Sequence, residues 1–208
     1  GAVALAGMLF AIDVAEDEVR GAAAVEFINY DGPRELQFDA DEVRDIGRVL
    51  AAGLARGATT TGYGRKYTLV HAFDPAMPER LGADILTLEA AAQADHINTV
   101  RYILSGFLEA GYGYSAGDAA LLAVFVTYYN AVHRGDIPYV SGVYQPRVLD
   151  NLTTTNAGLA RRYSEWAGAS RILIPLTERA GRRGPGALDT SALTDKRVVE
   201  ELRKREDR

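Results

Sequence analysis

Residues 95–109, DHINTVRYILSGFLE, and residues 115–134, SAGDAALLAVFVTYYNAVHR, decide how this chain folds. In the first stretch Ile97, Val100, Ile103, Leu104, Phe107 and Leu108 recur at the spacing of one helix face. Gly111 and Gly113 follow as stop signals. In the second stretch Ser115 with Asp118 makes a capping box. Leu121, Leu122, Val124, Phe125, Val126, Tyr128, Tyr129 and Val132 then leave that helix apolar nearly all round. A helix without a polar face belongs in the interior. The two helices are therefore expected to form a central hairpin, closed by Gly135.

Working outward, Asp39 reads as an N-cap with Glu42 as its box partner. The helix it opens would bury Val43, Ile46, Val49, Leu50 and Leu54. Four stretches read as strands: residues 24–30 (AVEFINY), 66–73 (KYTLVHAF), 83–88 (ADILTL) and 171–176 (RILIPL). Pro175 points to an edge position or a strand exit. Residues 57–64 are expected to be a flexible connector, and residues 136–146 irregular or briefly extended. A further helix is expected from about Thr155 toward Trp166. The fold class that follows is α+β, helix-rich, with the helical hairpin packed on a small sheet. Residues 12–180 would be the globular domain, 181–193 a linker, and 194–208 the start of a charged helical region leading into a coiled coil.

The 208 residues carry a formal net charge of -5 and no cysteine. Nothing in that balance provides the broad basic surface that a nucleic-acid partner needs. Disulfides, thiolate catalysis and cysteine-ligated metal are excluded. Residues 1–11 lie within an apolar run that is too short to span a bilayer but matches the core of a secretory signal. Leu9, Phe10 and Ala11 would form the cleavage site, although the charged start is missing. A short buried helix is the alternative. No other stretch has the length and hydropathy of a transmembrane span.

No catalytic, metal or cofactor motif assembles. Gly62-Tyr63-Gly64-Arg65-Lys66 lacks the third glycine of a dinucleotide loop and the Lys-Ser/Thr of a nucleotide loop. His71, His96 and His133 have no zinc-site spacing. Ser164 has no nucleophile elbow around it, and Glu89, Glu109, Asp136 and Glu165 are glycosidase candidates by residue type alone. Two constellations stand out as candidate ligand-binding groups. Tyr129, Asn130, His133, Arg134 and Asp136 gather at one helix end, where Arg134 and Asp136 could pair across Gly135. Tyr163 and Trp166, three residues apart, would share one face of a helix. The alternative is that both sets fasten the core, as buried aromatic residues with polar tips do.

These segments carry a resemblance. FINYDGP (27–33), YNAVHRGD (129–136), NAGL (156–159), YSEWAG (163–168) and IPL (174–176) resemble the N-terminal region of the Borrelia 83/100-kilodalton antigen family. The resemblance runs from about residue 24 to 202 and includes LTDK at 193–196. It implies an exported spirochaete protein with a signal peptide, a charged helical region after this domain, and no established enzymatic activity. It supplies no site residues. The chain departs from the family in its richness in alanine, glycine and arginine.

The resulting expectation is a non-enzymatic envelope domain, periplasmic or outer-membrane-associated, with no cofactor. Its partner would be an envelope protein or peptidoglycan, and oligomers could form through the C-terminal helix. A docking module should show an apolar-aromatic patch around Tyr139, Tyr144 and Trp166. The other expectations are a peptidoglycan-binding or glycan-cleaving module and a surface adhesin.

Overall fold

A computed structural model describes residues 30–177 and 185–206. The strand expected at residues 24–30 and the signal segment lie outside it, apart from Tyr30. Among the described residues, seven helices accompany a four-stranded antiparallel sheet of order β1-β2-β3-β4.

Helix α1 (Ala40–Ala55) starts where Asp39 accepts hydrogen bonds from the N–H groups of Asp41 and Glu42, at 2.9 and 3.2 Å. It buries Val43, Gly47, Leu50 and Ala51, whereas Val49, expected on that face, is exposed. The meander of β1 (Thr60–Tyr63), β2 (Tyr67–Ala72) and β3 (Gly82–Leu88) follows. Strand β1 lies inside the stretch expected to be a flexible connector. Its TTGY sequence has no apolar alternation, so only pairing with β2 defines it.

Helices α2 (Ile97–Tyr112) and α3 (Ala116–Val132) form the predicted hairpin. His96 caps α2 through Nδ1, and Ser115 caps α3 by accepting from the Asp118 N–H. Gly113 turns the chain with φ of 73°. Helix α1 lies closest to α2, because Gly47 and Gly106 meet at their crossing. A Cβ on Gly106 would sit 2.0 Å from the Arg44 carbonyl oxygen, and one on Gly47 2.0 Å from that of Ile103.

Residues 136–146 are mostly helical, as α4 (Ile137–Val143) and the start of α5 (Pro146–Leu149). Pro138 occupies the first turn of α4, where its missing N–H costs nothing. The helix expected from Thr155 does not form. The chain there runs irregularly to a single 3-10 turn, Tyr163–Glu165. Gly158 adopts φ of 83°, and its backbone bonds to Arg171. Strand β4 (Ser170–Leu176) then pairs with β3 along its whole length, with Pro175 on the edge strand as expected. After α6 (Thr190–Leu193), helix α7 (Lys196–Glu206) packs on α3 and buries Val198, Val199 and Leu202. No described helix is long and apolar enough to cross a membrane.

Candidate functional site

The end of α3 brings most of the first constellation together. Tyr129 is buried, and its hydroxyl lies 2.9 Å from that of Tyr139 and 2.7 Å from that of Tyr144. Burial, followed by the neighbouring phenols, holds the Tyr129 pKa well above the ordinary value. Burial raises those of Tyr139 and Tyr144 as well, so all three hydroxyls stay neutral donors and acceptors. His133 stacks on Tyr139 with ring centres 3.9 Å apart. Its Nε2–H donates to Asp195 at 2.5 Å, and its Nδ1 accepts from Arg197 at 3.4 Å. Asp195 thus faces one ring nitrogen and Arg197 the other.

Arg134 and Asp136 do not pair with each other across Gly135. Arg134 donates to the carbonyls of Thr155 and Gly158, at 2.6 and 2.9 Å. Asp136 instead caps α4 by accepting from the Tyr139 N–H, and its second oxygen meets Arg197 at 3.3 Å. The Gly135 φ of 68° turns the two side chains toward different elements. Asp195 and Arg197 complete this cluster. They lie some sixty residues downstream of His133, so local sequence reading could not join them to it.

Asn130 faces another way. Its amide NH2 donates to the carbonyls of Val126 and Leu173, both at 2.8 Å, and its oxygen accepts from the Leu173 N–H at 2.7 Å. The side chain thus presents β4 with the donor and acceptor of one strand residue. The rest of that outer edge is occupied in the same manner. Arg171 exchanges backbone bonds with Gly158 and donates to Asn156, while the Pro175 carbonyl accepts from Asp189. Pro175 has no N–H to satisfy.

In the second constellation, Trp166 is buried and its Nε1–H donates to the Ala160 carbonyl at 2.7 Å. Tyr30 stacks on Trp166 with centres 5.9 Å apart, and Tyr163 meets both rings edge-on. The patch expected around Tyr139, Tyr144 and Trp166 is absent as a surface, because Tyr144 and Trp166 are 0% and 1% exposed. Among the described residues, the exposed large apolar side chains are Phe38, Val49 and Tyr63. Phe38 and Tyr63 flank a groove of about 180 Å³ over Val43 and Ile46.

Sequence reading also passed over one polar cluster. Asp84 of β3 is fully buried, lies 2.6 Å from His71 Nδ1 across the β2–β3 pair, and accepts from the Tyr112 hydroxyl. One signal was available: an aspartate inside an otherwise apolar strand needs a partner. Among the described residues, no group of His, Asp and Glu side chains could hold a metal ion.

These polar sets link α3, α4, β4 and α7 of one helix-rich α+β domain. The class this defines is a helix-rich α+β domain in which an apolar helical hairpin is fastened to a small antiparallel sheet. The chain belongs to the Borrelia P83/100 protein family, whose model matches residues 15–208. Neither the curated proteins nor the solved structures gave a match.

Proposed function

We propose that this is a non-enzymatic structural and interaction domain of the spirochaete cell envelope, placed in the periplasm or against the outer membrane. One observation carries the reading. The chemistry-bearing residues at the end of α3 bond to other elements of the fold: Asn130 to β4, Arg134 to the 155–158 segment, His133 and Asp136 to α7. Groups committed in this way hold a surface in shape. Family membership supports the envelope location. The partner is an envelope protein, met on the face where Phe38 and Tyr63 stand out.

The test places a photo-crosslinking residue at Phe38 in spirochaete cells and, as a control, at exposed Glu79. A discrete crosslinked protein from position 38 and none from position 79 is the expected result. Crosslinks to murein alone would favour the peptidoglycan-binding reading. Release of soluble muropeptides from purified sacculi by the domain would overturn the non-enzymatic one.

A further inference from the structure

Helix α7 is held to the body in a particular way. Its apolar contribution is small: Val198, Val199 and Leu202 go under, and the rest of KRVVEELRKRE is charged or polar. A helix of eleven residues with that composition is marginal on its own. Its start is fixed by one residue that acts twice. Asp195 caps α7 by accepting from the Val198 N–H at 2.9 Å, and its other oxygen takes the His133 Nε2–H at 2.5 Å. Within the same first turn, Arg197 reaches back to the Val132 carbonyl at 3.2 Å, to Asp136 and to His133. That guanidinium satisfies a carbonyl which the end of α3 leaves without a helical partner.

The segment just before α7 is anchored separately. Leu193 is fully buried, Leu188 forms a bridge with Leu176, and the Thr194 hydroxyl bonds back to Thr190. Firm anchorage therefore ends at Thr194, and beyond it the Asp195 and Arg197 contacts and three buried apolar side chains tie α7 to α3, together with its charged side chains.

We propose that α7 is a clasped strap: it opens as a unit about Thr194 while the rest of the domain stays folded, and the Asp195–His133 contact sets how often it opens. Opening uncovers the Val198–Val199–Leu202 stripe together with the stacked His133 and Tyr139 rings. While the clasp is closed, that stripe is covered by α3 and cannot serve as the seam of a helix pair. The clasp thus decides whether the stripe faces inward or is offered to another helix.

The absence of cysteine makes the strap directly readable. Leu202→Cys places a thiol under the strap, and Leu104→Cys places one in the hairpin core, both at positions that are essentially fully buried. Thiol labelling under native conditions should be faster at position 202 than at 104. Adding Asp195→Ala should speed labelling at 202 by roughly tenfold, the effect of losing one cap and one charge-assisted bond. Labelling at 104 should not change. Equal rates at the two positions, or rates that rise together, would mean that α7 opens only when the whole domain unfolds, and the proposal would fail. Amide exchange on the unsubstituted chain gives an independent reading: α7 should exchange well ahead of α3, and equal protection would also sink the idea.

Discussion

Asn130 shows what one side chain does when it stands in for a strand. Replacing it with alanine leaves the Leu173 N–H and C=O buried on the outer edge of β4 with no partner. Stranding such groups costs about 2–4 kcal/mol, and for a chain of this length a melting scan should show Tm lower by roughly 5–12 °C. A shift under about 2 °C would mean that water reaches the edge and the amide is dispensable. Asp195 carries a pH signature. Burial works against its ionisation, but the His133 bond and the Val198 and Arg197 backbone N–H groups outweigh that and hold its pKa below the ordinary 3.8. A depressed carboxylate contributes stability above its unfolded-state value, and that contribution disappears as the pH falls through the folded-state value. The gap in urea midpoint between the unsubstituted chain and Asp195→Asn should therefore be full at about pH 6 and shrink below about pH 4. A gap that widens on acidification would reverse the sign of this argument. The sequence pointed to His133 and Asp136 because they are local to one helix end. Asp195 and Arg197 were hidden by chain separation, and only the docking of α7 brings them close.

Among the elements, the crossing of α1 over α2 depends on the absence of two side chains. Gly106→Ala would place a methyl group 2.0 Å from the Arg44 carbonyl oxygen, so the helices must part. Alanine is the better helix former, by about 1 kcal/mol, yet overpacking at the crossing should leave a net loss of about 1–2 kcal/mol in urea unfolding. A stabilised Gly106→Ala protein would show that the crossing has slack. Periodicity made α1, α2, α3, β2, β3 and β4 legible, because each has a face or a run that burial explains. It failed for β1, whose TTGY lies mostly in solvent. It also failed for α4, a helix of seven residues with Val140 alone fully buried, in which Pro138 sits where a helix accepts it. The helix expected from Thr155 is absent for a different reason. Residues 156–158 supply backbone groups to the outer edge of β4, and a helix would have kept those groups for itself.

For the molecule as a whole, the buried side chains make one contiguous core in which the hairpin, the sheet and Trp166 all take part. Unfolding followed by Trp166 fluorescence and by helix content should therefore coincide in a single transition, with α7 alone departing early. Two well-separated transitions would show that the sheet and the hairpin are independent units. The α+β class was readable because apolar periods of both kinds alternate along the chain. The placement of the polar clusters was not, since contacts such as Asp84 with Tyr112 and Arg171 with Asn151 come from the assembled whole.

The pairing of β3 with β4 has a consequence during synthesis. Strand β3 is the most enclosed part of the early sheet, yet its partner begins only at Ser170, after both long helices. Until the ribosome has released residue 176, a buried strand of seven residues, apolar apart from Asp84 and Thr87, has one open flank. Chains interrupted between those points would emerge with that flank ready to join a stray neighbour, which makes the last strand the seal on the nascent domain.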